Sequence, residues 1–308
     1  LFMPGGPSQV DTFDYKPEIA KHAGQRPESV DRKSLRNTKM GLMPSPYAFR
    51  QHGQCGRWVS EIFPHVAEMV DDLCFIHSMH TDTPEHASAM MMMNVGHLQP
   101  TRPSMGSWLT YGLGTENQNL PAFVAMCPGG YPIQESQNWQ SGFLPGVYQG
   151  TYIDTKHTEL EKLIENIRND RVTRSEQSGQ LNLLRSLNKK HLEERPGDAQ
   201  LEARIQSFEL AFRMQTEAAE AFDVSREPKH IREMYGDGVQ ARQILIARRL
   251  IERGVRFVQV WHGEGQPWDN HDDIEVNHRR LAQQCDQAIG ALLTDLKQGN
   301  YLLMSSSL

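Results

Sequence analysis

Short apolar runs alternate along this chain with helical segments, and each run ends in a loop that carries glycine, aspartate or histidine. This alternation constrains the possible folds of the chain more than any other feature of the sequence does. The clearest runs are Leu73 to His77, Ala122 to Met126 and Val255 to Trp261. Strands that are separated by helices form largely parallel sheets, which the helices cover. The sequence therefore predicts an α/β fold.

The length of 308 residues exceeds that of a typical single domain. We predict one large α/β core whose N-terminal part spans residues 1–150 and which continues in residues 238–308, with a helical insertion at 151–237. The residues Leu1 to Met3 resemble the end of a buried strand, and no initiator Met precedes them. A further strand would be expected after Gly299 in a parallel sheet. We therefore expect both ends of the domain to lie outside this sequence.

Helical patterns fill most of the chain from about residue 157 to 235. Two capping-box spacings begin helices there, Thr158 with Glu161 and Thr173 with Glu176. After Asp198 an apolar stripe fits either the core of a helical lobe or a surface that binds a partner, and it consists of Leu201, Ile205, Phe208 and Phe212. Further helices are predicted at Val239 to Arg253, at Leu292 to Lys297, and around Met90 to Met93, where the methionines serve as core filler.

Composition excludes several classes of protein. Lys plus Arg is 32 and Asp plus Glu is 38, so a net charge of −6 provides no broad basic surface for nucleic acid or anionic lipid. No stretch approaches the roughly 18 apolar residues that span a bilayer. The four cysteines form no CxxC pair, which argues against a zinc knuckle and a dithiol redox site. Cys74 is predicted to lie in a strand core, and small molecules are the expected partners.

Three loops collect the residues that carry chemistry, and each follows a predicted strand. Open α/β sheets bind ligands at that edge, so we expect the loops to converge. Carboxylates and imidazoles from separate loops form the ligand sets of zinc, manganese and similar divalent ions. The candidates are Asp11 and Asp14, then His77, His80, Asp82, Glu85 and His86, and finally His262, Glu264, Asp269, His271, Asp272 and Asp273.

Each candidate also has an ordinary structural explanation. Aspartates in turns accept hydrogen bonds from backbone amides, and an Asp-x-His triplet such as Asp269 and His271 recurs by chance. His86 suits a hydrogen bond at the start of a helix, while Asp14 and Asp273 suit solvated turns. The metal interpretation therefore depends on the convergence of the three loops.

Several segments resemble the bacterial domain-of-unknown-function 1501 family, which is abundant in planctomycetes. They are Gly5 to Asp14, Arg102 to Trp108, Tyr111 to Gly114, Asn119 to Pro121 and Trp268 to His271, and the resemblance extends from residue 1 to about 298. That family has no settled activity. It is similar in turn to the alkaline-phosphatase-like superfamily of phosphatases, sulfatases and phosphomutases.

The superfamily resemblance implies a sheet sandwiched between helices and a centre of up to two metal ions, with zinc, manganese or iron as candidates. It makes Asp11 an N-terminal metal ligand and Asp269 with His271 a later ligand pair. Further ligands are expected beyond Leu308, because the family's Glu-Phe-Gly-Arg and Asp-His-His segments do not occur here. Members commonly begin with a twin-arginine signal, which implies export to the periplasm or the exterior, although this chain shows no such segment.

One departure concerns the nucleophile. In the superfamily a Ser, Thr or Cys opens the helix after the second strand, but here His86 stands at that position, and no sulfatase-type Cys-x-Pro-Ser-Arg segment occurs. Metal-activated water is the simpler scheme, with His86 as acid, base or ligand. The leading hypothesis is a metal-dependent hydrolase of small anionic phosphate or sulfate esters. The alternative is a non-catalytic, metal-stabilised binding protein on the same fold.

Overall fold

The computed structural model describes residues 1–26, 41–164, 171–194, 209–210, 212–214 and 217–299. The helices are α1 (Pro17–Lys21), α2 (Pro64–Ala67), α3 (His86–Val95), α4 (Met105–Leu113), α5 (Leu160–Leu163), α6 (Arg174–Glu193), α7 (Lys229–Tyr235), α8 (Val239–Glu252) and α9 (Ile274–Gln298). The strands are β1 (Phe49–His52), β2 (Arg57–Ser60), β3 (Phe123–Met126), β4 (Thr151–Ile153) and β5 (Phe257–Val260). This mixture confirms the predicted α/β class. Leu201, Ile205 and Phe208 of the predicted apolar stripe lie outside the described residues, whereas Phe212 is described and is half-buried.

The chain divides into two compact units, and neither is continuous in sequence. Unit 1 comprises residues 1–4, 80–233 and 237–267, and unit 2 comprises residues 5–79, 234–236 and 268–308. The three-part division predicted from the sequence, with an insertion at residues 151–237, stays a prediction.

Unit 1 contains a parallel sheet in the order β4-β3-β5. Every residue of β3 is buried, as expected for the central strand of a parallel sheet that is covered on both faces. Phe2 forms a parallel bridge with Trp261, and its N–H donates to the Val260 carbonyl at 2.6 Å, so the strand-like character predicted for the first residues is confirmed.

Helices α4 and α8 pack on this sheet. The Ser104 side chain caps the start of α4 by accepting from the Ser107 N–H, and Gly106 allows close packing because a Cβ there would lie 2.5 Å from the Phe123 ring. Helix α8 and strand β5 confirm the predicted helix at Val239 to Arg253 and the predicted strand that follows it.

Helix α3 also follows the prediction, since it ends at Gly96 in the left-handed conformation. Met90 and Met91 are buried as core filler, but Met93 is 54% exposed. At the start of α6, the Thr173 N–H and the Glu176 N–H each donate to the other residue's side chain, so this capping box is confirmed.

Unit 2 consists of an antiparallel hairpin, β1 with β2, and of α9 packed against α2. The buried carboxylate of Asp286 on α9 accepts from the His65 and Val66 N–H groups, both at 2.9 Å, and so satisfies the start of α2. The buried face of α9 includes His278, Leu281, Ala282 and Cys285 at helical spacing.

Two local predictions are wrong. Leu73 to His77 forms no strand: Leu73 is extended, but the segment pairs with no described strand, and Cys74 is exposed. Of its apolar residues, Phe75 packs with its ring 5.7 Å from the Phe13 ring, whereas Ile76 is 64% exposed. The capping box expected from Thr158 does not form, since α5 begins after Glu159 with no side-chain cap.

Within the described ranges, no helix combines the length and apolar character needed to cross a lipid bilayer.

Candidate functional site

In unit 2 a tight turn buries Asp11. Gly5 and Gly6 have φ angles of 93° and 74°, which residues with a side chain rarely adopt. A 3₁₀ turn at Gln9–Asp11 follows, in which the Asp11 N–H donates to the Ser8 carbonyl at 3.1 Å. Asp11 is only 2% exposed. The glycine-rich start of this segment therefore bends the chain so that an acidic side chain points inward.

The two carboxylate oxygens of Asp11 have different surroundings. Oδ2 accepts a hydrogen bond of 2.5 Å from the Ser8 hydroxyl. Oδ1 is buried and accepts no hydrogen bond from any described residue. Buried polar atoms are almost always hydrogen-bonded, and an uncompensated carboxylate oxygen is costly. This oxygen therefore has an open position for a cation or a donor.

His278 connects two of the segments that carry the family resemblance, Gly5 to Asp14 and Trp268 to His271. Its Nε2 accepts from the Ser8 N–H at 2.9 Å, so the proton lies on Nδ1, which donates to Asn270 Oδ1 at 2.8 Å. The ring is 1% exposed and meets the Trp268 ring edge-on at 5.1 Å. Burial lowers the pKa of His278, although the negative charge of Asp11 opposes this effect. A neutral imidazole therefore holds the Asp11 turn to the Trp268–Asn270 segment.

Sequence reasoning missed His278. The signal was its place on the apolar face of α9, one turn before Leu281 and Ala282. A polar ring among apolar residues at helical spacing indicates a buried hydrogen-bonding role.

Tyr47 fixes the start of α9 in the same unit. Its hydroxyl is 2.8 Å from the carbonyl oxygens of both Ile274 and Glu275. Burial raises the pKa of Tyr47 to about 12; Arg279 lowers it, and Asp11 raises it further. The phenol therefore stays protonated and continues to donate.

Four other candidates in unit 2 form two pairs, Asp269 with His271 and Asp14 with His77. His271 Nε2 lies 3.0 Å from Asp269 Oδ1, but the His271 side chain is 80% exposed whereas that of Asp269 is 20% exposed. Asp14 lies 2.8 Å from Lys16 Nζ and 3.2 Å from His77 Nδ1. The predicted pair Asp269 and His271 is thus brought together, in a largely solvated setting.

Asp273 precedes α9 in a left-handed conformation and makes no side-chain cap.

The candidates in unit 1 lie before α3 and after β5. His80 and Asp82 are exposed, and His86 is the first residue of α3, as predicted. The Glu85 carboxylate accepts from the Ala87 and Ser88 N–H groups at 3.0 and 2.8 Å, and these bonds lower its pKa. His262 is 2% exposed, and its backbone N–H donates to the Phe2 carbonyl at 2.9 Å.

Across the described residues, no three His, Cys, Asp or Glu side chains form a group that is able to hold a metal ion. The donor type at Asp11 nevertheless fits a divalent cation, because its buried Oδ1 is a hard anionic oxygen whose orientation Ser8 fixes through the second oxygen.

The comparisons with known proteins give one match. A family model described as "Protein of unknown function (DUF1501)" matches residues 1–303. No curated protein matches the chain, and no solved structure does so either.

Proposed function

The chain belongs to the DUF1501 family, and from that premise we propose that it is a divalent-metal-dependent hydrolase of phosphate or sulfate esters in which Asp11 is a metal ligand. The observation that carries this proposal is the buried Oδ1 atom of Asp11, which no described residue satisfies. A bound cation would compensate this charge, whereas a neutral partner would compensate it less completely.

The residues around Asp11 hold its carboxylate in one orientation, which suits a metal ligand. Ser8 donates to the second oxygen, and His278 holds the Ser8 backbone, so the carboxylate has little freedom to rotate. Groups that orient a metal ligand in this way typically change metal affinity about 10- to 100-fold when they are removed. We propose Asp269 and His271 as further ligands for zinc, manganese or iron. Additional ligands are required to complete the coordination of the ion.

The proposed chemistry uses water instead of a covalent nucleophile. A bound divalent ion would lower the pKa of a water molecule and neutralise charge on the ester. The residue that opens α3 is His86, and no described hydroxyl caps this helix, since the Glu85 carboxylate already takes the Ala87 and Ser88 amides. We propose that His86, which stands where the superfamily carries its nucleophile, acts as acid, base or ligand.

A second candidate is a binding protein without catalysis. The Glu85 carboxylate favours it, because it occupies amides at the start of α3 that would otherwise attract an anionic substrate. In that case the ion bound by Asp11 stabilises the fold, and the protein does not turn over an ester.

The family resemblance carries further proposals: an alkaline-phosphatase-like sandwich around the parallel sheet, a planctomycete origin, and export to the periplasm or exterior.

The test is the metal content of the full-length protein, measured by elemental mass spectrometry. We expect about one to two ions of zinc, manganese or iron per chain. Asp11→Asn should abolish this content, and Asp269→Ala and His271→Ala should reduce it. Asp14→Asn is the matched control, because the Asp14 carboxylate is already paired with Lys16 and His77. Equal metal in the wild type and in Asp11→Asn would contradict the proposal.

Two further measurements separate the candidates. In the metal-free protein, Asp11→Asn should raise the free energy of unfolding by about 1 kcal/mol, because it removes an unsatisfied buried charge. With metal, hydrolysis of 4-nitrophenyl phosphate or sulfate that is lost in His86→Ala supports the enzyme. Metal binding without turnover of any ester supports the binding protein.

A further inference from the structure

A second group of polar residues lies at the carboxyl edge of the parallel sheet in unit 1. Residues 127–130 follow β3, residues 154–157 follow β4, and residues 261–265 follow β5. Ligands of open α/β sheets bind outside the carboxyl ends of the strands. All three loops belong to unit 1.

Two charged side chains lie over a glycine pair in the first loop. Gly129 and Gly130 have φ angles of 91° and 152°. A Cβ on Gly130 would lie 2.5 Å from Glu264 Oε2, and one on Gly129 would lie 3.7 Å from Glu264 Cδ and 3.8 Å from Lys156 Cδ. Glu264 and Lys156 therefore approach each other over the glycine pair, and a side chain at position 130 would crowd the Glu264 carboxylate.

These two charges are exposed, and neither side chain has a hydrogen-bond or ion-pair partner in the described part of the chain. In contrast, the Asp154 carboxylate in the neighbouring loop accepts from the Gly129 N–H at 2.8 Å and from the Lys156 N–H at 3.0 Å. Asp154 thus shapes the loops, while Glu264 and Lys156 keep a free acceptor and a free donor within reach of one small ligand.

An aromatic stack stands beside them. The Tyr131 ring lies 4.3 Å from the Tyr152 ring at an interplanar angle of 22°, and Tyr152 is nearly parallel to the buried Trp139. The Tyr152 hydroxyl donates to the Gly130 carbonyl at 3.0 Å, and the Tyr131 carbonyl accepts from the Gly265 N–H at 3.0 Å. Tyr131 itself is 45% exposed. The stack therefore presents a rigid aromatic surface, which loses little entropy when a ligand binds.

The thiol in this loop does not act as a nucleophile. Cys127 is buried, its Sγ donates to the Gly263 carbonyl at 3.2 Å, and burial raises its pKa to about 12. The edge therefore suits reversible binding.

We propose that Tyr131, Glu264 and Lys156 form a binding site for a sugar ring. A sugar hydroxyl both donates and accepts, so neighbouring hydroxyls can donate to Glu264 and accept from Lys156. The apolar face of the ring lies against Tyr131, whose polar tip and apolar body suit such a mixed surface. A zwitterionic amino acid would also match the two charges, but it has no ring to use the aromatic surface. The proposal does not depend on the metal site.

The experiment is saturation-transfer NMR on the full-length protein in the presence of a chelator, with glucose, galactose, mannose and cellotetraose as probes. At least one probe should bind. Tyr131→Ala should weaken that binding about tenfold or more, and Glu264→Gln about threefold or more. Tyr111→Ala is the matched control, because it removes another exposed tyrosine of unit 1, which is 51% exposed.

Circular dichroism confirms that each variant is folded before its binding is compared. Binding of cellotetraose alone identifies a glycan as the ligand, and binding of the hexoses identifies free sugars. The proposal is overturned if no probe binds, if Tyr131→Ala and Tyr111→Ala bind equally well, or if glycine and alanine bind and the sugars do not. Since no metal is present, this result is independent of the test of Asp11.

Discussion

The turn that carries Asp11 and the loop that carries Glu264 both present a carboxylate after an extended segment, but their surroundings differ. Asp11 is buried beside Ser8, and its position is fixed through the Ser8–His278–Asn270 hydrogen bonds. Glu264 is exposed and pairs with no other described residue. A buried polar network specifies one arrangement and is costly to break, whereas an exposed charge contributes little to folding. Substitutions in the two places should therefore affect different properties.

The largest expected effect comes from His278→Leu. The substitution removes the hydrogen bonds that the buried His278 ring makes with the Ser8 N–H and with Asn270 Oδ1, so the free energy of unfolding should fall by about 3 kcal/mol. Urea denaturation of the full-length protein measures it. His271→Leu is the control, because that ring is 80% exposed and its loss should change stability by less than about 0.5 kcal/mol. Equal losses in both variants would break the contrast between buried and exposed sites.

A smaller effect should appear in the pH dependence of stability. Burial lowers the pKa of His278 in the folded protein, so the unfolded chain binds the proton more readily. The resulting stability is present above the ordinary histidine pKa of 6.5 and is lost as the pH falls from there toward the lowered value. The folded protein should thus become less stable between pH 6.5 and 5, before carboxylates begin to titrate.

His278→Gln tests this assignment, since the amide keeps a donor and an acceptor but does not titrate in this range. The urea midpoint of His278→Gln should depend less on pH over the same interval. An unchanged slope would mean that another group carries the pH dependence.

Local sequence patterns predict single helices and strands, but they do not predict contacts between distant residues. Strand β5 and helix α8 were predictable because their apolar patterns are local and each ends at a turn or glycine. The strand predicted at Leu73 to His77 is wrong because a short apolar run predicts an extended segment and says nothing of a pairing partner. The burial of Asp11 could not be predicted from local patterns. The Asp11 turn is held through Ser8 by His278, which lies 270 positions from Ser8 in the sequence. Glu264 was visible as a loop residue, but its approach to Lys156 depends on how β3, β4 and β5 align.

The smallest effect on stability is expected at the sheet edge. Glu264→Gln and Lys156→Met each remove an exposed charge that no described residue pairs with, so the free energy of unfolding should stay within about 0.5 kcal/mol of the wild type. Thermal and urea denaturation measure this directly. If either variant were strongly destabilised, its side chain would hold the loops together, and the sheet edge would resemble the Asp11 turn. If both remain stable while sugar binding falls, these charges serve a ligand instead of the fold, since unpaired exposed charges next to a rigid ring do not otherwise contribute to folding.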